Sequence, residues 1–206
     1  MPQGQLFVIS APSGAGKTSL VAATIARVSD LTVSVSHTTR SPRPGEVDGR
    51  DYHFVDQSEF DALIASQALF EHAQVFGNFY GTSKEAIESQ LASGIDVILE
   101  IDWQGASQVR MMAPDAVSIF ILPPTRDALR ERLIRRQQDD STIIDARMAE
   151  ADETIEQAPH FDYWVINDDF EIALGQLKSI IISHRQRRPQ IQAKHPNFLE
   201  KLLGHQ

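Results

Sequence analysis

The 206-residue chain has no cysteine, so disulfides are excluded and nothing points to an oxidising compartment. It also lacks any uninterrupted apolar run near the roughly 20 residues that a membrane-crossing helix needs. The opening MPQGQ has no basic stretch followed by a long apolar core, so no signal peptide is expected, and the expected location is cytoplasmic with no membrane partner. Positive charge is in deficit too: the net charge of −9 argues against a general DNA or RNA binder, which carries a basic face. An acidic protein that handles phosphates must therefore gather its cations locally, and arginine clusters are the places to look. The seven histidines show no metal-ligand spacing, and there is no internal repeat. What remains is ordinary for a soluble globular protein: 42% hydrophobic and 23% charged residues, in a length that suits one domain or a core with small inserts.

Against that background residues 6–18, LFVISAPSGAGKT, stand out. The apolar run Leu6–Ile9 reads as a buried strand. Ala11, Pro12, Ser13, Gly14, Ala15 and Gly16 follow, small enough around the glycines for backbone N–H groups to face one anion. Lys17 supplies a point charge and Thr18 a hydroxyl suited to Mg²⁺. The next segment has helical spacing, and its positive N-terminal end adds to the site. The pattern G-x-x-x-x-G-K-[ST] is met except that Ala11 replaces the first glycine, so residue 11 is expected in an ordinary φ/ψ region. A tight strand-to-helix turn without a ligand is the alternative.

Four apolar runs read as buried strands of a mostly parallel sheet: Leu6–Ser10, Leu31–Ser36, Ile95–Ile101 and Val117–Leu122, with a shorter fifth at Tyr163–Asn167. Helix-like segments at 18–29, 83–93, 104–112, 125–137, 141–157 and from 169 onward alternate with them, which predicts an α/β fold. Residues 37–82 break the alternation and read as a small mixed insert. Residues 126–147, arginine-rich with a polar break at QQDDS, read as a helical lid. The core is then 1–36, 83–125 and 148–206.

Arg40 and Arg43 stand three apart beside Pro42 and Pro44, which stiffen the loop that presents them. Paired guanidiniums make forked, charge-assisted bonds to phosphate, and Tyr52 and Tyr80 could add phenol donors. On residue type alone a solvated loop is the competing reading. The strand ending at Ile101 carries Glu100 and Asp102, carboxylates placed where a nucleotide-bound Mg²⁺ would be held directly or through water. Arg132 and Arg136 are spaced to share one helix face. Arg126 and Arg130 read instead as paired with neighbouring carboxylates such as Asp127 and Glu131.

Taken in order, SAPSGAGKT, SVSHTTRSPRPGE, GNFYGTS, ILEIDWQG, the PPT turn and VINDD resemble the bacterial guanylate kinases, from about Gln5 to Ile180. The resemblance implies a P-loop nucleoside monophosphate kinase: an α/β core, a GMP-binding insert and a lid. It implies MgATP-dependent phosphorylation of GMP, and of dGMP, giving GDP and ADP. Matched by position, Ser36, Glu71, Thr82 and Asp102 would meet the guanine, and Arg40, Arg43, Tyr52 and Tyr80 the GMP phosphate. Arg132, Arg136 and Arg147 would reach the ATP phosphates, and Asn167 of VINDD joins the ATP side. Lys17, Arg40 and the three lid arginines would be catalytic. Two departures are visible: Glu100 stands where relatives carry aspartate, and Arg135 and Gln137 replace the glycines that usually flank the arginine at 136.

Guanine presents N1–H and an exocyclic amine as adjacent donors, and one carboxylate can accept from both. Adenine offers a lone pair at N1, so the same carboxylate would reject AMP. Local alternatives exist: Glu71 could be a solvent-facing strand residue and Thr82 merely a helix cap. Two other functions compete, a sugar-phosphate kinase on the same scaffold and a non-catalytic guanylate-kinase-like binding module. The basic tail from His184 reads as a solvated helix, with contact between subunits of a homo-oligomer as the alternative.

Overall fold

The computed structural model describes residues 3–75, 77–136 and 141–204, with the backbone alone at 136 and 141–143. The chain opens with β1 (Leu6–Ser10), α1 (Lys17–Ile25) and β2 (Leu31–Val33), then enters β3 (His37–Thr38), β4 (His53–Phe54), α2 (Gln57–Ala65), β5 (Leu69–Val75) and β6 (Asn78–Ser83). It continues through α3 (Lys84–Ala92), β7 (Asp96–Glu100), α4 (Trp103–Met112), β8 (Val117–Leu122), α5 (Arg126–Arg136) and α6 (Ser141–Ile155). A 3-10 turn, β9 (Tyr163–Ile166), α7 (Phe170–Arg185), α8 (Arg188–Lys194) and α9 (Phe198–Leu202) complete it.

Five strands pair in parallel in the order β2-β7-β1-β8-β9. Each face of this sheet is covered, which is why its inner strands are near-continuous apolar runs rather than alternating ones. On one face Phe7, Ile9, Ile98 and Ile119 pack with Leu20 and Val21 of α1 and Leu174, Leu177 and Ile181 of α7. On the other, Leu6, Val8, Val97 and Leu99 pack with Ile87 of α3 and Val109 of α4. The connection leaving β1 runs to one side, toward β2, and that leaving β8 runs to the other, toward β9. The C-terminal ends of β1 and β8 therefore mark the switch point, where ligands of such sheets bind in a crevice.

The expected strand Leu31–Ser36 is cut short. It pairs with β7 only through Val33, and after Ser34 the chain leaves the core sheet. His37 and Thr38 then join a second sheet, ordered β4-β3-β6-β5, in which β3 and β5 both run antiparallel to β6. Ser36 is thereby suspended between the two sheets. In this second layer α2 is started by a reciprocal capping box between Asp56 and Glu59 and buries Phe60.

The long terminal helix expected from 169 is also broken. Pro189 has no N–H for a helix interior and is tolerated in a first turn, so α7 stops at Arg185 and a separate helix begins. Arg185 closes the opposite end of the sheet. Its Nε donates to Asp96 Oδ2 at 2.7 Å and its Nη2 to the carbonyls of Ser29 and Asp30, while Gln5 N–H donates to Asp96 Oδ1. Arg185→Ala leaves a buried carboxylate without its cation and is expected to cost about 3–5 kcal/mol in urea denaturation. A loss below about 1 kcal/mol would show that Asp96 is adequately held by backbone donors alone.

Candidate active site

The turn after β1 wraps the N-terminus of α1. Gly14 and Gly16 take left-handed φ of 90° and 96°, and Gly16 is the residue that starts the helix. Ala11 is absent from the positive-φ residues, as its side chain requires. Pro12 and Ala15 are buried, Ser13 is exposed, and Ala15 N–H closes on Pro12 O at 3.1 Å. Asn167, just beyond β9, donates its amide to Ala15 O at 2.7 Å. Its own carbonyl receives Arg132 Nη2 at 2.8 Å. Helix α5 lies directly on the turn, since a Cβ added to Gly14 would stand 3.1 Å from Leu133 and 3.2 Å from Leu129.

Lys17 and Thr18 open α1 facing the end of β7, because the parallel register sets Ile9 beside Glu100. Thr18 Oγ1 donates to Glu100 Oε1, and Lys17 Nζ stands 4.0 Å from the same oxygen and 3.3 Å from Ile101 O. Burial lowers the Lys17 pKa, while the charges of Glu100, Asp102 and Glu71 oppose that fall. Asp102 starts α4, accepting from Gly105 N–H at 3.0 Å. No cluster of three or more histidine, aspartate or glutamate side chains able to hold a metal occurs among the described residues. A hydroxyl with one or two carboxylates is nevertheless the oxygen-only set that suits Mg²⁺, an ion that keeps several waters and takes its other ligands from phosphates.

Across the crevice a chain of hydroxyls ends on a buried carboxylate. Thr82 Oγ1 donates to Glu71 Oε1 at 2.6 Å and stands 3.1 Å from Ser36 Oγ. With the Thr82 proton committed to an ionised Glu71, Ser36 must be the donor to Thr82. Both local alternatives fail: Glu71 is 3% exposed, and the cap of α3 is Ser83 rather than Thr82. Burial pushes the Glu71 carboxyl up to about 7, with the Thr82 hydroxyl opposing the rise and the Asp102 charge adding to it.

The arginine loop is exposed from Ser41 to Gly45, Arg43 included, while Arg40 and Glu46 are half-buried and held together. Arg40 Nη2 donates to Glu46 Oε1 and Oε2 at 2.8 and 3.0 Å, and its Nη1 to Ser41 O at 2.8 Å. Its guanidinium lies 5.3 Å from the centre of the Tyr52 ring, which meets the Tyr80 ring at 5.9 Å. Arg43 joins through its backbone N–H, which donates to Glu46 Oε2 at 2.7 Å. The Arg40 guanidinium beside it holds the Glu46 carboxyl below the usual range. Glu46 went unnoticed in the sequence, although its position three residues after Arg43, beyond Pro44 and Gly45, is a turn signal that brings a carboxylate back onto the loop.

Of the three arginines expected in a lid, Arg132 touches the glycine-rich turn, and its Nη1 stands 3.5 Å from Ala15 O. Arg147 is on α6, where its charge is felt by Glu150. The Arg136 side chain and Gln137 lie outside the described residues. Arg126 and Arg130 are paired as expected, but with Asp152 and Asp145 of α6 instead of Asp127 and Glu131. Glu131 is taken by Arg135. The helices α5 and α6 share a small core of Leu129, Leu133, Ile144, Met148 and Ala151.

A glycine-rich turn on a parallel sheet, faced by a second sheet with buried polar side chains, defines a P-loop phosphotransferase with the nucleoside monophosphate kinase fold. The family model described as guanylate kinase matches residues 3–184. A guanylate kinase of Saccharophagus degradans is 56% identical, over 98% of this chain and 99% of the relative. One of Escherichia coli O157:H7 is 51% identical, over 99% and 100%. The crystal structure of guanylate kinase from Anaplasma phagocytophilum superposes with a TM-score of 0.77 at 33% identity, covering 98% of this chain and 94% of that one. The chain belongs to the guanylate kinase family and is an enzyme that transfers a phosphoryl group to GMP.

Proposed function

We propose that the enzyme moves the γ-phosphoryl group of MgATP directly, in line, onto a phosphate oxygen of GMP or dGMP, releasing ADP. The observation that carries this reading is the junction of β7 and α4: Lys17 Nζ stands 3.3 Å from Ile101 O, and the adjoining Asp102 starts α4, whose Gly105 lies directly against the Glu71 carboxylate. A donor half and an acceptor half therefore adjoin.

On the acceptor side Glu71 receives the guanine N1–H and amine, with Ser36, Thr82 and Asp102 completing the polar wall. Arg40, Arg43, Tyr52 and Tyr80 hold the GMP phosphate. On the donor side the backbone from Ala11 to Gly16, with Lys17, cradles the polyphosphate. Arg132, Arg136 and Arg147 approach from residues 126–147, the proposed lid, and 37–82 form the acceptor insert. Asn167 acts on ATP by holding the Ala15 carbonyl and so the shape of the turn. Thr18, with Glu100 and Asp102 directly or through water, would hold Mg²⁺, which when bound neutralises the donor phosphates.

The attacking phosphate oxygen is anionic near neutral pH, so no general base is needed. What the chain must supply is alignment and cancellation of repulsion between two polyanions. Helix α5 on the turn shields that region from water, which would otherwise hydrolyse the donor.

ADP release measured with GMP, dGMP, AMP and a sugar phosphate in turn tests the reading. Turnover with GMP and dGMP and almost none with the others is expected; comparable turnover with AMP would overturn the role of Glu71. Arg40→Ala removes charge-assisted bonds of about 1.5–3 kcal/mol, so the KM for GMP should rise roughly tenfold to a hundredfold with a much smaller change in the KM for ATP. An unchanged GMP KM would contradict the placement of the acceptor phosphate.

A further inference from the structure

Gly105 is the third residue of α4, and it is buried. Its φ is not in the left-handed range, so the backbone there does not require glycine. Within a helix glycine is less favourable than alanine, because it loses more conformational freedom on folding. Its one hydrogen bond at the site, N–H to Asp102 Oδ1, would be made equally by alanine. The reason for glycine must therefore be space.

The space is occupied by a carboxylate. A Cβ at position 105 would stand 2.3 Å from Glu71 Oε2, 3.2 Å from Glu71 Cδ and 3.3 Å from Asp102 Oδ1. Glu71 has little freedom to retreat. Its other oxygen is held by Thr82 at 2.6 Å, and its backbone belongs to β5, paired with β6 at Thr82 itself. The missing methyl also lets Oε2 lie against the first turn of α4, where helix N–H groups give a partial positive charge.

We infer that Gly105 is a positioning residue for acceptor recognition: by carrying no side chain it fixes the plane in which the Glu71 carboxylate is presented. This rests on the reading of Glu71 as the group that accepts from guanine. Two adjacent donors on the base need both oxygens in one orientation. A methyl at 105 turns that plane, and the contact to the exocyclic amine or to N1–H is lost. Inosine monophosphate, which lacks the amine, depends less on the plane and loses less.

The test is Gly105→Ala, assayed with GMP, inosine monophosphate and ATP, alone and in a Glu71→Ala background. In the otherwise unaltered enzyme the KM for GMP should rise by about tenfold or more and the preference for GMP over inosine monophosphate should shrink, with the KM for ATP within about twofold. In the Glu71→Ala background there is no carboxylate to displace, so Gly105→Ala should change the KM for GMP by less than about twofold. Equal rises in both backgrounds, or none in the first, would overturn the inference. Should Gly105→Ala alone fail to fold, the double variant is expected to fold, and its failure would count against the inference. Glu71→Ala alone separates the two readings. If it leaves the KM for GMP unchanged, the acceptor reading falls; if it raises that KM and Gly105→Ala does not, only the role of Gly105 falls.

Discussion

Lys17→Ala is expected to lower kcat by roughly a hundredfold to a thousandfold, the scale seen when one preorganised donor to transition-state charge is removed. The ammonium sits between the phosphate turn and the end of β7, 4.0 Å from Glu100 and within the field of Asp102 and Glu71. In the proposed reaction two polyanions are brought together there, and the ammonium offsets their repulsion. Its removal leaves Glu100 without the cation that stands beside it, at the place where the donor phosphates enter. The fold should survive, because the side chain makes a single long bond to Ile101 O and contributes little to the packed core. The measurement is steady-state kcat alongside far-UV circular dichroism and thermal unfolding. Turnover within about threefold of the unaltered enzyme, with a native spectrum, would remove Lys17 from the mechanism.

The second large effect concerns Glu71 and carries opposite signs for stability and recognition. Its carboxyl is raised by burial from the ordinary 4.5 to about 7. The native state therefore binds this proton more tightly than the unfolded chain. Stability from this group is full below about pH 4.5, falls as pH rises to about 7, and is level above it, a loss of about 3 kcal/mol. Glu71→Gln removes that penalty, so the variant without substrate should be the more stable one at pH 8 by urea denaturation. Recognition should move the other way. A carboxamide offers one acceptor and turns its NH₂ toward a guanine donor, so the KM for GMP should rise by about tenfold or more. The unaltered enzyme should also lose GMP affinity as pH falls through about 7, a step that Glu71→Gln lacks even though the GMP phosphate titrates in both. A Glu71→Gln enzyme that is less stable at pH 8, or that retains the step, would contradict the assignment.

The likeness between sequence and structure is uneven in an instructive way. The phosphate turn was legible residue by residue, including the ordinary backbone at Ala11, because its geometry is set by neighbours within a few positions. The apolar strands Leu6–Ser10 and Val117–Leu122 were found with their exact ends, since burial on both faces imprints a continuous run. The run Leu31–Ser36 misled for the same reason: apolar continuity does not tell that a chain changes sheets at Ser34. Glu71 and Thr82 enter as guanine-facing residues only through family resemblance. Local pattern favours a solvent-facing residue and a helix cap, and the burial of Glu71 at 3% and the Ser83 cap of α3 exclude those two readings. Glu46 is not legible as the partner of Arg40, because the two stand six residues apart across an exposed loop and only the folded turn brings the carboxylate back onto the guanidinium.

By itself the sequence determined what short-range physics controls: a glycine turn ahead of a helix, a lysine and a hydroxyl at its mouth, arginines on a stiffened loop, and strands that must be buried. Only the tertiary structure decided which distant groups meet. Asn167 holds Ala15 across 152 residues, Gly105 clears room for Glu71, and Leu129 and Leu133 lie on Gly14. Such meetings depend on strand order, register and the angle between two sheets, which arise when all the apolar faces are buried at once. No local spacing encodes them, so the chemistry of each half of the site was readable from the chain and their alignment was not.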